Sequence, residues 1–411
     1  MGGRLIDGRG GDPVEDAVVV VDGGRITAVG RASAVSLPAD ARRVDVGGLT
    51  LLPGLIDTHV HLLTETRPLQ DEHNERPSQR LYRAIPFARR TLEAGVTTVR
   101  DAGMTPAGMK LAIEEGIFPG PRMQVAVNVI SQTGGHGDTT MPSGLDSDFV
   151  LPDLPKPIAD GPDEMRKVVR TMIRAGADWI KLCTTGGVLS PLDPPDTPQF
   201  TVEEIGVAVA EARAARLHGV MAHAIGAEGI KHALRAGVRS IEHGDLLDEE
   251  AIDLLLVRGA YLVPTMHALV SIRERAAASP GSMPPWAMAK LDRVAAGQRE
   301  TLGEAIRRGV PVAMGTDSGV GFHGTNAREL GFLVSAGMTP MAAIEAATRV
   351  AADLLDLADD LGTVEAGKVA DLVAVAADPI ASPEAIGDPP AVRLVAKAGA
   401  IVKDLDGRFA A

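Results

Sequence analysis

Residues 54–63 read GLIDTHVHLL, an apolar run that carries Asp57, His59 and His61. A buried strand has little reason to hold three such groups, because each buried polar group needs a partner or costs stability. Residues i and i+2 of a strand share a face, so His59 and His61 point the same way. Two neutral imidazoles side by side suit a borderline divalent metal such as Zn²⁺. Further groups of the same kind recur along the chain: His136 in ISQTGGHGD, Lys181 in WIKLCTTGG, His223 in VMAHA, His243 in SIEHGD and Asp317 in AMGTDSG. A lone histidine at a strand end is commonly structural. A set spread over successive strands of one sheet is not a series of independent accidents.

On this reading His59, His61 and Asp317 hold one ion, and His223 and His243 hold a second. Lys181 then needs an explanation, because an ammonium beside two dications is repelled. A buried lysine kept neutral reacts with CO₂, and the carbamate (N6-carboxylysine) is an anionic bidentate ligand that bridges ions about 3.5–4 Å apart. The alternative keeps Lys181 unmodified as a substrate-binding cation.

These groups need a scaffold whose strand ends converge. The middle of the chain repeats helix, Gly, apolar run: LEAGVTTVR, IRAGADWIKL, RLHGVMAHA, LRAGVRSIEH, LVRGAYLVP and IRRGVPVAMG. Glycine just past a helix supplies its left-handed cap, and the β-branched run that follows is a strand. With LTLLPGLIDTHVHL and RMQVAVNVIS added, the pattern predicts eight parallel strands. That is a (β/α)₈ barrel of TIM type over residues 55–360, with an open doubly wound sheet as the alternative. The ends, residues 1–54 and 361–411, read as short strands that pair into one small discontinuous β-sandwich. Leu151 to Pro162 and SPLDPPDTPQF are expected to be surface loops, and Arg273 to Arg293 a mobile lid.

The composition limits the partners. The chain has 411 residues, 45% of them hydrophobic, and a net charge of −13, which disfavours nucleic acid and anionic membrane. No apolar stretch reaches the roughly 20 residues of a membrane span. The opening MGGRLIDGRGG lacks a charged-then-apolar signal pattern, so a cytoplasmic location is expected. Cys183 is the single cysteine, which excludes an internal disulfide and a cysteine-based zinc site.

With the HxH after strand one, a Lys on strand four, a His on each of strands five and six, and an Asp on strand eight, the chain resembles the amidohydrolase superfamily. EAGKVADLVAV is similar to that family's returning C-terminal strand. ISQTGGHGD, IKLCTTGGVLSP and HGTNARELGFLV resemble the imidazolonepropionase-related branch with its Xaa-Pro and Xaa-Arg dipeptidases. The resemblance implies two divalent ions, a carboxylated Lys181, and hydrolysis of an amide-type C–N bond by a metal-bridging hydroxide. It implies that Asp317 shuttles the proton and that His136 steadies the oxyanion, a loop-structural His136 being the plainer alternative. It also implies a small-molecule substrate and a homo-oligomer. A dipeptidase proper, a mononuclear deaminase and a non-catalytic scaffold are the competing readings; Lys181 and the filled ligand positions count against the last two.

Other residues carry narrower expectations. Where relatives place an aromatic or histidine partner for a substrate carboxylate, HAIGAEGI has Ile225, which leans the reading toward a less polar amide, carbamate or urea. His323, in GVGFHG, is taken as a candidate pocket residue; that stretch formally matches a dinucleotide fingerprint but no new βαβ unit follows it. Asp57 is expected to orient a neighbour and Cys183 to be an inert thiol. His73, His218, His232 and His267 are assigned structural roles.

Overall fold

The structure, a computed structural model, describes residues 1–67, 71, 74–146 and 151–409; His73 lies outside them. Four strands open the chain: β1 (Gly3–Leu5), β2 (Val14–Asp22), β3 (Arg25–Arg31) and β4 (Thr50–Pro53). Strands then alternate with helices: β5 (Leu55–Val60), β6 (Val96–Asp101), β7 (Arg122–Val125), β8 (Val129–Ile130), β9 (Trp179–Cys183), β10 (Gly219–Gly226), β11 (Ser240–Leu246) and β12 (Tyr261–Val263). The chain closes with β13 (Leu372–Val375), β14 (Val392–Lys397) and β15 (Ala400–Asp404).

β5-β6-β7 form one parallel ladder and β8-β9-β10-β11-β12 a second. β7 and β8 are one strand position broken at Val127, which sits at φ 64°. The eighth position falls to residues 312–318, which form no regular strand. They join the ring through single bridges, Leu262 to Val312 and Val60 to Ser318. The Asp317 amide donates to the His59 carbonyl at 2.7 Å, while Asp317 itself takes φ 55°, and this turn interrupts the expected ladder. The fold is of TIM type, an alternating α/β ring that no continuous ladder closes.

The helices cover the outside because their apolar residues recur at helical spacing. Met165, Val169 and Met172 form the buried stripe of Gly161–Arg174, and Ile205, Ala208 and Ala212 that of Val202–Ala214. Gly237, at φ 94°, and Gly259, at φ 60°, cap the helices before β11 and β12 in the left-handed conformation, as the repeat predicts.

Both ends contribute to a single seven-stranded sheet, ordered β15-β14-β13-β4-β1-β2-β3. A bridge from Arg25 to Val369 brings the start of β3 back toward the strands of the other end. The sheet thereby curls around its own core of Leu5, Ile26, Leu51, Leu372, Leu394 and Ala396.

Two loop expectations need correction. Residues 273–293 are mostly helical, shared by Met266–Ala278 and Pro285–Arg307 with a short turn between them. Their alanines favour helix, and Leu291, Val294, Gln298 and Leu302 bury one face of the second. Residues 190–200 form a loop that is partly internal: Asp193 is buried, and Lys290 donates to the carbonyls of Gly187, Ser190 and Asp193 at 3.0, 2.7 and 2.6 Å. Among the described residues, no helix is long and apolar enough to cross a membrane.

Candidate active site

The C-terminal ends of the ring's strands bring the expected residues together. His59, His61, Lys181, His223 and Asp317 are buried, and His243 is partly so. One ligand atom each from His59, His243 and Asp317 fits within a mutual 4.8 Å. Asp317 Oδ1 lies 3.2 Å from His61 Nε2 and 3.6 Å from His59 Nε2, and Lys181 Nζ lies 3.4 Å from His59 Nε2. His223 joins less directly. Its ring centroid is 4.6 Å from that of His243, but its Nε2 meets the Gly186 carbonyl at 3.1 Å.

Backbone strain contributes to this convergence. Strict alternation along β11 would send Glu242 and His243 to opposite faces. His243 adopts φ 72°, and Thr265 at the end of β12 adopts φ 49°. Positive φ is uncommon for residues with a Cβ and costs of order 1–3 kcal/mol when imposed. The kink lets Glu242 reach His59 while His243 still joins the cluster, its Nδ1 2.6 Å from Thr265 Oγ1.

The histidines are held by partners behind them. His59 Nδ1 is 2.7 Å from Glu242 Oε2, and His61 Nδ1 is 2.9 Å from the Gly103 carbonyl. Arg100 in turn donates to Glu242 Oε1 at 2.9 Å and to the Thr58 carbonyl, with both charged side chains fully buried. Asp57 accepts from the backbone amides of His59 and Thr316, each at 3.1 Å, from the Thr316 hydroxyl at 2.6 Å and from Asn326 Nδ2 at 2.8 Å, tying the eighth position to β5. Glu242, Arg100 and Thr265 were missed from sequence; an acid adjacent to His243 was the one available signal.

Burial shapes the protonation states. It lowers His59, with Lys181 adding to the effect, and takes His243 down to about 4, so both imidazoles are neutral. Burial also lowers the Lys181 ammonium. For Asp317 burial opposes ionisation, yet His61, His59 and His243 hold its carboxyl below the usual range. Its Oδ1 is buried and faces the His61 and His59 Nε2 atoms. Two neutral imidazoles and an ionised carboxylate are a donor set that fits a divalent cation.

His136 stands beside this cluster, its ring stacked on that of His223 with centroids 4.2 Å apart. Ser190 Oγ lies 2.7 Å from its Nδ1, and Asp193 Oδ2 lies 3.6 Å away. A Cβ on Gly187 would fall 2.1 Å from the His136 ring, so glycine there makes room for it.

These residues line a cavity of about 360 Å³. Ile225 faces it as expected, with Val188, Leu269 and Ile272 forming the same apolar wall. Cys183 also borders it and is fully buried; burial pushes its thiol up to about 12, consistent with an inert role. The expectation for His323 is corrected: it lies behind the wall, stacked on Phe87, with Nε2 2.7 Å from the Thr64 carbonyl. Its loop folds inward beneath residues 61–67 and does not present the ring to the cavity.

The sequence profile of the amidohydrolase family matches residues 50–402. The ochratoxinase of Aspergillus niger is 35% identical over 429 aligned residues, covering 98% of this chain and 85% of that protein. A solved Xaa-Pro dipeptidase with bound methionine is similar with a TM-score of 0.89 and 36% identity, covering 97% of this chain and 98% of that one. A prolidase complexed with N-methylphosphonate-L-proline gives a TM-score of 0.87 and 35% identity, covering 98% of each chain. The chain belongs to the amidohydrolase family.

Proposed function

We propose that the chain is a metal-dependent hydrolase of the amide C–N bond in a small molecule. The observation that carries this reading is Asp317: a buried, ionised carboxylate 3.2 Å from His61 and 3.6 Å from His59, its ligand atom within 4.8 Å of those of the neutral His59 and His243. His59, His61, His223, His243 and Asp317 would hold two divalent ions, zinc in our reading. Lys181, N6-carboxylated by CO₂, would lie between them; its burial, lowered pKa and place beside His59 support that modification. Such ions acidify water and polarise a carbonyl when bound.

The chain's own groups divide the remaining work. Asp317 takes a proton from the attacking water and returns it to the leaving nitrogen. His136, its Nδ1 engaged by Ser190, offers Nε2 to the oxyanion that develops on the scissile carbonyl. Ile225 and its apolar neighbours receive a nonpolar substituent. Names of similar proteins, an ochratoxinase, an Xaa-Pro dipeptidase and a prolidase, support an amide substrate. In our reading the domains span residues 1–54 with 361–411 and 55–360, and the protein is a cytoplasmic homo-oligomer. Nucleic acid and membrane are left out on the strength of the net charge of −13.

The test is hydrolysis of a panel of N-acyl amino acids, dipeptides, neutral aryl amides, carbamates and phenylureas by the zinc-loaded chain. Turnover of at least one amide class, lost in Asp317→Asn, is expected. Inactivity of the loaded chain against the whole panel would sink the proposal.

A further inference from the structure

Lys290 reaches from the helix Pro285–Arg307 into the loop that follows β9. Its partly buried Nζ donates to the carbonyls of Gly187, Ser190 and Asp193 at 3.0, 2.7 and 2.6 Å. An ammonium carries three N–H donors, and each finds one carbonyl. Lysine spreads its donors around a single nitrogen, so it can gather acceptors that converge from three directions; a planar guanidinium is built for flat, paired partners. Without that charge three carbonyl dipoles would converge with no donor between them, and a buried acceptor left unmet is costly.

The loop held in this way carries the partners of His136. Ser190 Oγ lies 2.7 Å from the ring's Nδ1, and Asp193 Oδ2 lies 3.6 Å from it. Asp193 is itself fixed from two sides. Its Oδ2 accepts from the Gly187 amide at 3.0 Å and from Gln199 Nε2 at 3.4 Å, while Oδ1 lies 3.8 Å from Lys290 Nζ. Gln199 also accepts from the His136 amide at 3.1 Å. The ring borders the cavity, and its Nε2 meets no hydrogen-bond partner among the described residues.

The helix end of this link is firmly seated. Leu291 and Val294, close to Lys290 on the same helix, are fully buried and pack with Val188 and Ile225 in one apolar cluster. A second tie between helix and loop, Arg293 to Asp196 at 2.6 Å, is exposed at both partners, where ion pairs contribute little.

We propose that Lys290 is a positioning residue for the hydrolysis: by gathering the carbonyls of Gly187, Ser190 and Asp193 it fixes the Ser190 hydroxyl, and through that hydroxyl keeps His136 Nε2 directed into the cavity. The inference rests on the reading above in which His136 meets the oxyanion. Lys290 touches neither the substrate nor the proposed ligands; it acts through the loop.

The test is a double-mutant cycle on the zinc-loaded full chain, with an amide from the panel above that it hydrolyses. Lys290→Met is expected to lower kcat about tenfold or more while KM and zinc content hold, because the oxyanion contact forms only in the transition state. In a His136→Ala background the same substitution should change kcat by less than about twofold. An undiminished kcat in folded Lys290→Met, an equal loss in both backgrounds, or loss of zinc from the single variant overturns the positioning role. Where Lys290→Met fails to fold, Lys290→Gln, which keeps amide donors, carries the same cycle. Should no amide be hydrolysed, the hydrolytic reading fails by itself, and crystal structures of wild type and variant decide the clamp. A His136 ring that leaves Ser190 in the variant upholds it; a ring still bonded there overturns it.

Discussion

His59 Nδ1 lies 2.7 Å from Glu242 Oε2, both side chains buried, and Arg100 holds the other carboxylate oxygen at 2.9 Å. This contact assigns the His59 proton to Nδ1 and leaves the Nε2 lone pair for the cluster. Glu242→Gln keeps the shape and removes the charge. It should weaken zinc affinity about 10- to 100-fold. It should also destabilise the fold by about 3 kcal/mol, because buried Arg100 loses its counter-charge. Competition with a chromophoric chelator reads the first effect and thermal unfolding the second; unchanged zinc affinity would show that Glu242 is not the orienting group.

Lys181 is the group whose role is most sharply testable. Mass spectrometry under native conditions should find one added CO₂ on the metal-loaded chain, placed at Lys181 by fragmentation. Lys181→Ala should lose the bridged pair of ions and fall about a hundred-fold or more in kcat/KM. Full activity in that variant would contradict a bridging role for Lys181.

Gly187 lies against His136, where a Cβ would be 2.1 Å from the ring. Gly187→Ala should displace the imidazole from Ser190 and lower kcat about a hundred-fold, as misplacement by an ångström does. Zinc content should hold, because His136 lies outside the proposed ligand set. Loss of metal alongside activity would argue that the loop supports the whole cluster.

Glu329, outside the proposed ligand set, supplies a pH dependence. It is fully buried and accepts from the amides of Met266 and His267 at 2.9 and 2.7 Å. Burial raises its carboxyl from 4.5 to about 8, against the pull of those two amides. The folded state thus binds a proton that the unfolded state has released, so stability is greatest below the unfolded value of 4.5 and declines as pH rises to about 8. Thermal midpoints across that window should fall with pH in the wild type, and the fall should flatten in Glu329→Gln. Parallel profiles would place the titration elsewhere.

The sequence carried the centre of this site and little of its support. His59 and His61 were legible because strand alternation places i and i+2 together, and the Gly-punctuated repeats placed His223 and His243 on neighbouring strands. Glu242 was hidden by the same rule, since a residue beside His243 should point away, and φ 72° at His243 breaks the alternation. The eighth strand failed as a strand because Asp317 turns at φ 55°. Nothing in the sequence singles out Arg80 and Arg83; their convergence on Glu75 is a tertiary fact. The supposed lid was misread because alanine- and proline-rich composition was weighed above the helical spacing of Leu291, Val294 and Leu302.

The most direct test of the account is amide hydrolysis measured against zinc content, after chelator stripping and stepwise return of the metal. The account predicts no turnover in the stripped chain and recovery that saturates near about two ions per chain. Undiminished hydrolysis by metal-free protein would contradict it.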